Sequence, residues 1–269
     1  MHVIEAVQIL AAGAAAGAIN ALVGSGTLVT FPVLLALGYP PIVANASNAV
    51  GLVPGSFAAA WGYRAEVATQ RRLLLPLGAA ALAGGIVGAW LLLVLPAATF
   101  RAVVPVLIGG ALILIVVQPW LVRALRRRSP ATRSASDDDA ATRPAAAADP
   151  AVRPAGPALI VGVFAAGAYG GYFGAALGVL LLGLLGVLVS SNLQQVNGLK
   201  NILAGVANTV AALVFIAAGV VSWPPALLIA AGAVAGGAVA GRYGRRLPDP
   251  VLRTVIVAVG LVAVIRMVA

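Results

Sequence analysis

A chain of 269 residues with 62% hydrophobic and only 9% charged residues cannot present the surface of a soluble domain, where about a quarter of residues are charged. The net charge of +10 does not suggest nucleic acid, because no basic groove interleaved with aromatics is present. The arginines gather in short loops and one linker, where they orient a chain in a bilayer and can touch anionic lipid. Without cysteine, and with His2 as the single histidine, the chain has no disulfide and no thiolate, zinc or haem ligand set, so no cofactor is expected.

Residues 3–23 read as a first apolar helix. It lacks the basic flank and the break in hydrophobicity of a cleavable signal. Gly24-Ser25-Gly26 interrupts it, and a short second piece, 27–38, carries Pro32. After Pro40-Pro41 comes 41–62, then two longer runs at 73–95 and 99–121. Runs of this length cross about 30 Å of hydrocarbon as helices. Their lack of two-residue alternation excludes barrel strands. Arg123 to Gly156 holds seven Arg and four Asp among Pro, Ala, Ser and Thr, and reads as a disordered linker. The remaining pieces are 157–174, 177–190, 193–221, 224–241 and 250–268. Their breaks fall at Gly174, Ser190-Ser191 and Pro224-Pro225.

The two flanks of the linker look alike. Leu95-Pro96 with Arg101 matches Leu247-Pro248 with Arg253, and Gly84-Gly85 falls on Gly236-Gly237 at the same offset. Gly17 and Gly24 fall on Gly167 and Gly174, two residues out of step, as a small loop change would produce. The expectation is an all-α polytopic membrane protein of two repeats, 1–122 and 157–269, about the 123–156 linker. Each repeat has about five helical segments and opens with short broken helices. Arg64, Arg71 and Arg72 follow the third piece of the first repeat, whereas Arg242, Arg245 and Arg246 follow the fourth of the second. Equivalent loops then lie on opposite sides, so the repeats are inverted, as in many secondary transporters. The linker and both basic loops are expected in the cytoplasm of a cell with an inner membrane.

Polar groups inside such helices are the candidate site. The first cluster is Asn20 with Gly24-Ser25-Gly26-Thr27, where a broken helix points its positive end at the gap. A tight turn with capping hydroxyls explains it as well. The second is Asn45, Ser47 and Asn48, which serve either a ligand or interhelical hydrogen bonds. The third is Asn197, Lys200 and Asn201 with Asn208 further along one stripe, and Gly174, the break in the second repeat, joins the candidates. Lys200 is the only lysine, and its alternative role is to snorkel to an interface. Ser47-Asn48 aligns with Lys200-Asn201, so these polar sites are expected to meet near the membrane centre. No Asp or Glu lies deep in an expected span, so an anion suits the site better than a metal cation. There is no phosphate-binding loop for ATP hydrolysis and no catalytic pair.

The stretch from Gly17 to Leu34, with Gly24-Ser25-Gly26-Thr27 and Pro32, resembles the glycine-rich opening of the sulfite exporter TauE/SafE family. So do Ala46-Ser47-Asn48 with Trp61-Gly62-Tyr63-Arg64, and Gly241-Arg242 with Leu247-Pro248 and Arg253. The second opening, Gly170-Gly171-Tyr172-Phe173-Gly174, departs from this pattern, with no counterpart of Pro32 before or after Gly178. The resemblance implies transport, often export, of sulfite, sulfonates or other small organic anions. The expected partners are that anion and the lipid bilayer, and a homodimer stays open. The rival expectation is a non-transporting membrane scaffold or assembly factor whose polar residues only pack helices.

Overall fold

The computed structural model describes residues 2–62, 64–68, 70–128, 155–189 and 193–243. These form ten helices and no strand. The first half comprises α1 (Val3–Leu22), α2 (Thr27–Ala36), α3 (Pro41–Gly62), α4 (Arg64–Ala68), α5 (Arg71–Val94) and α6 (Ala97–Arg128). The second comprises α7 (Pro157–Tyr172), α8 (Leu177–Leu188), α9 (Leu193–Ala217) and α10 (Trp223–Tyr243). Six of them, α1, α3, α5, α6, α9 and α10, are long and apolar enough to span a bilayer. The chain is a polytopic helical membrane protein. The expected helix at 250–268 lies outside the described residues, as do residues 129–154 of the linker. α6 continues to Arg128, past the Arg123 at which the linker was expected to begin. Arginine is a good helix former, and cations favour a helix C-terminus.

The breaks are short because glycine makes them cheap. Gly24 and Gly174 each adopt the left-handed region, with φ of 84° and 76°. A helix ends there and reverses without a Cβ clash. α2 and α8, of 10 and 12 residues, rise only about 15–18 Å at 1.5 Å per residue. Neither crosses the hydrocarbon alone.

Packing runs between the halves rather than within them. α1 lies against α10, α5 against α7, α3 against α10 and α5 against α9, while α3 and α9 form the central pair. Small residues drive this, since lipid-soluble helices gain no hydrophobic energy from pairing and rely on close contact. A Cβ on Gly236 would stand 1.9 Å from the Ala14 carbonyl oxygen, and one on Gly88 would stand 1.9 Å from that of Ala168. The contacts also fix direction. Gly13 meets Ile229 and Gly17 meets Ala233, so α1 and α10 run parallel. Gly84 meets Phe164 and Gly88 meets Ala168, so α5 and α7 do too. Gly51 meets Ala226 and Gly55 meets Ala233, which sets α3 parallel to α10.

It follows that Pro41, Trp223 and the start of α1 share one face of the molecule. The starts of α5 and α7 share the other, where Gln70 Nε2 donates to Gln195 Oε1 at 3.0 Å. All four tryptophans are exposed. Trp61 and Trp120 lie toward the face that carries α4, and Trp90 and Trp223 toward the opposite one. Exposed indoles at two levels are the pattern of two membrane–water interfaces.

Candidate functional site

The first break is built from α1, α2 and α3. Asn48, two turns into α3, donates from Nδ2 to Thr27 Oγ1 at 3.2 Å. Its Oδ1 accepts a hydrogen bond from Thr30, one turn further along α2. Asn20 Nδ2 donates to Ser56 Oγ at 3.2 Å, and that hydroxyl donates back to the Leu52 carbonyl of its own helix. Asn20, Thr27 and Asn48 are therefore committed to neighbours within this half. Ser25 is not: it is buried in the break, and its Oγ makes no hydrogen bond. Gly26 sits under α1, where a Cβ would press 2.6 Å from the Ala16 carbonyl oxygen.

Asn45 and Ser47 reach into the second half. Asn45 Nδ2 donates to the Tyr172 carbonyl at the end of α7 (3.0 Å), which leaves its buried Oδ1 without a partner. Ser47 Oγ accepts the Ser222 amide at 2.9 Å, just ahead of α10. Above them, Phe31 of α2, Phe100 of α6 and Phe173 of the second break meet edge to face, with centroids 5.2–6.4 Å apart.

The two breaks touch. The Gly178 amide donates to the Gly24 carbonyl at 3.1 Å, and a Cβ on either glycine would meet the other's Cα at 2.5 Å. One N-terminal amide of α8 is thus spent on the opposite break. Beside it Asn208 leans over Gly174, where an added Cβ would stand 3.8 Å from Asn208 Oδ1. Two turns back on α9, Lys200 is 1% exposed, so it does not snorkel. Its Nζ has no hydrogen-bond partner among the described residues. Asn197 Oδ1, about one turn before it, and Asn201 Nδ2, on the next residue, are also buried and unpartnered. The described helices carry only two acidic residues, Glu5 at the start of α1 and Glu66 in α4. A buried charge left alone costs several kcal/mol.

These clusters do not all converge. Gly205 packs on Ser56 and Phe57, and the link from α9 to Ser222 makes α9 antiparallel to α3. Ser47 lies nine residues before Ser56 and Lys200 five before Gly205, which separates them by about 20 Å along the pair. The expected meeting of Ser47 with Lys200 therefore fails. The alignment related equivalent positions, and antiparallel helices carry those to opposite sides of their crossing. The sequence reading also missed Thr30 and Ser56. Thr30 follows Thr27 by one helical turn on the face turned to Asn48, a visible signal. Ser56 had none beyond being a hydroxyl near Pro54.

With the geometry in place, the comparisons bear on what this arrangement is. No solved structure matches the chain. A Sinorhizobium protein described as "Probable membrane transporter protein ORF9" is 29% identical over 93 residues, 35% of this chain and 36% of that protein. The match thus spans about a third of that relative's length. The family match is far broader, covering residues 9–267, both halves and both breaks: the chain belongs to the sulfite exporter TauE/SafE family.

Proposed function

We propose that this protein is a secondary transporter of a small anion such as sulfite, a sulfonate or a related organic acid, working by alternating access between two inverted repeats, with export as its direction. The single observation that carries the anion is Lys200: a buried ammonium with no hydrogen-bond partner among the described residues, flanked by the unpartnered Asn197 Oδ1 and Asn201 Nδ2. An oxyanion supplies the missing charge and accepts from both donors. The Asn197 oxygen suits a hydroxyl or amine on the same ligand. Ser25, at the touching breaks, is a third unpartnered donor. Asn45, Gly174 and Asn208 line the same junction of the halves. Asn20, Gly24, Gly26, Thr27, Ser47 and Asn48 hold its shape.

The inverted arrangement is supported by paired contacts, α1 on α10 mirrored by α7 on α5, and α3 on α10 mirrored by α9 on α5. Orientation is supported by charge. Arg64, Arg71, Arg72, Arg123 and Arg126 to Arg128 lie on one face, which is cytoplasmic by the positive-inside rule and carries the linker. The site binds and releases its ligand unchanged, so the protein is not an enzyme.

The test is Lys200→Met in proteoliposomes, which removes the charge and keeps the apolar stem. Hydrogen bonds to charged groups contribute about 1.5–3 kcal/mol, so sulfite flux should fall roughly 10–100-fold. Thermal stability should hold or rise, because an unpaired buried charge is gone. Undiminished flux from a folded variant would refute the site. The scaffold reading, favoured by the internally satisfied Thr27–Asn48–Thr30 group, expects no flux from either protein.

A further inference from the structure

A cleft of about 370 Å³ opens on the face opposite the basic loops, lined by Leu35, Gly38, Tyr39, Pro40, Pro41 and Arg101. It lies between the α2–α3 connection and the first turns of α6. Two adjacent prolines stiffen one wall. Arg101 is exposed within it, and Tyr39 is half-buried, its body packed on the core. Among the described residues Arg101 is the only arginine on this face, since Arg64, Arg71, Arg72, Arg123, Arg126 to Arg128 and Arg242 all lie on the other. A cation here opposes the orientation rule, so orientation does not account for it.

What lies beneath the cleft gives the arginine a use. Phe100, its chain neighbour, is buried against Phe31 and Phe173. Phe31 stands one turn before Leu35 of the cleft wall. Tyr172, next in the chain to Phe173, touches the Phe100 ring and accepts through its carbonyl from Asn45, whose Oδ1 is unpartnered. Cleft, aromatic cluster and polar junction therefore adjoin one another, and the three rings come from both halves of the chain.

We propose that this cleft is an anion vestibule, in which Arg101 holds the transported oxyanion outside a closed aromatic layer formed by Phe31, Phe100 and Phe173. The proposal rests on the transport reading for what the ion does next, but not for its binding. A guanidinium presents a planar fork that pairs with two oxygens of a sulfonate, sulfite or carboxylate, and the Tyr39 hydroxyl can add a third donor. Phosphate of an anionic lipid headgroup offers the same chemistry from another source.

The test reads binding first and transport second. Wild-type protein in purely zwitterionic liposomes is treated with phenylglyoxal, with and without methanesulfonate, which unlike sulfite does not add to the reagent's aldehyde, against chloride at equal ionic strength. Modification of each arginine is followed by mass spectrometry. The vestibule predicts that methanesulfonate slows modification of Arg101 and leaves Arg71 and Arg72 unchanged. Equal rates at all three overturn it, as does protection of Arg101 only when anionic lipid is added. In flux assays Arg101→Gln should raise the sulfite KM several-fold from this face and leave kcat near wild type, and Arg101→Lys should recover part of the loss. Absence of flux in wild type with Arg101 still protected would sink the transport reading and leave the vestibule standing. Flux with an unchanged KM in Arg101→Gln would do the reverse.

Discussion

At the scale of single residues, the polar groups divide by whether a neighbour already satisfies them. Asn48 spends its amide on Thr27 and Thr30, whereas the Ser25 hydroxyl in the same break is buried with no partner. Removing one member of a satisfied buried group leaves the others orphaned, at about 1–3 kcal/mol each. Removing an orphan costs little. Asn48→Ala should therefore lower the thermal midpoint clearly. Ser25→Ala should leave it unchanged while reducing anion flux. A scanning-fluorescence series in detergent, paired with flux on the same preparations, separates the two roles. Equal destabilisation by both variants would show that Ser25 only shapes the turn. The sequence singled out both residues because hydroxyls and amides are rare in hydrocarbon. It could not say which were satisfied, since that depends on the partner helix. Lys200 is the exception. Its burial was undecidable from its place two turns into α9, yet the lack of any acidic residue on α9 itself was visible in the sequence.

At the scale of elements, glycine decides which helices can meet. Gly88 lies where a Cβ would overlap the Ala168 carbonyl at 1.9 Å, whereas Gly78, earlier on α5, has nothing within 4 Å of that position. Gly88→Leu should force α5 from α7 and abolish the folded monodisperse peak on size exclusion. Gly78→Ala should be neutral or slightly stabilising, by up to about 1 kcal/mol from helix propensity. A normal Gly88→Leu protein would contradict the packing of these halves. The helices themselves were legible, because apolar runs bounded by Gly-Ser-Gly, Pro-Pro and arginine pairs leave few alternatives. α4 was not, being five residues in a loop with no periodicity to read. Nor was the depth of each polar stripe. Offset matching relates the halves to each other but carries no information on where α3 and α9 cross, and that crossing sets Ser47 apart from Lys200.

At the scale of the whole molecule, charge and tryptophan give the same two faces. The α4 face carries the arginine-rich loops and the exposed Trp61 and Trp120, while the opposite face carries Arg101, Trp90 and Trp223. The chain has no cysteine, so single cysteines report cleanly. Gly38→Cys should react with an impermeant thiol reagent on intact cells, and Ala68→Cys and Ala140→Cys should react only after permeabilisation. The reverse pattern would invert the orientation proposed here. The central claim, that this family member carries a small anion, is tested most directly by counterflow. Proteoliposomes loaded with unlabelled sulfite are diluted into a trace of radiolabelled sulfite, and the label inside is followed in time. A carrier exchanges the internal pool for external label, so the account predicts a transient overshoot above the external concentration, abolished by Lys200→Met. If wild-type vesicles, correctly oriented and well folded, take up no more label than empty ones with sulfite, a sulfonate or a small carboxylate, the account is contradicted.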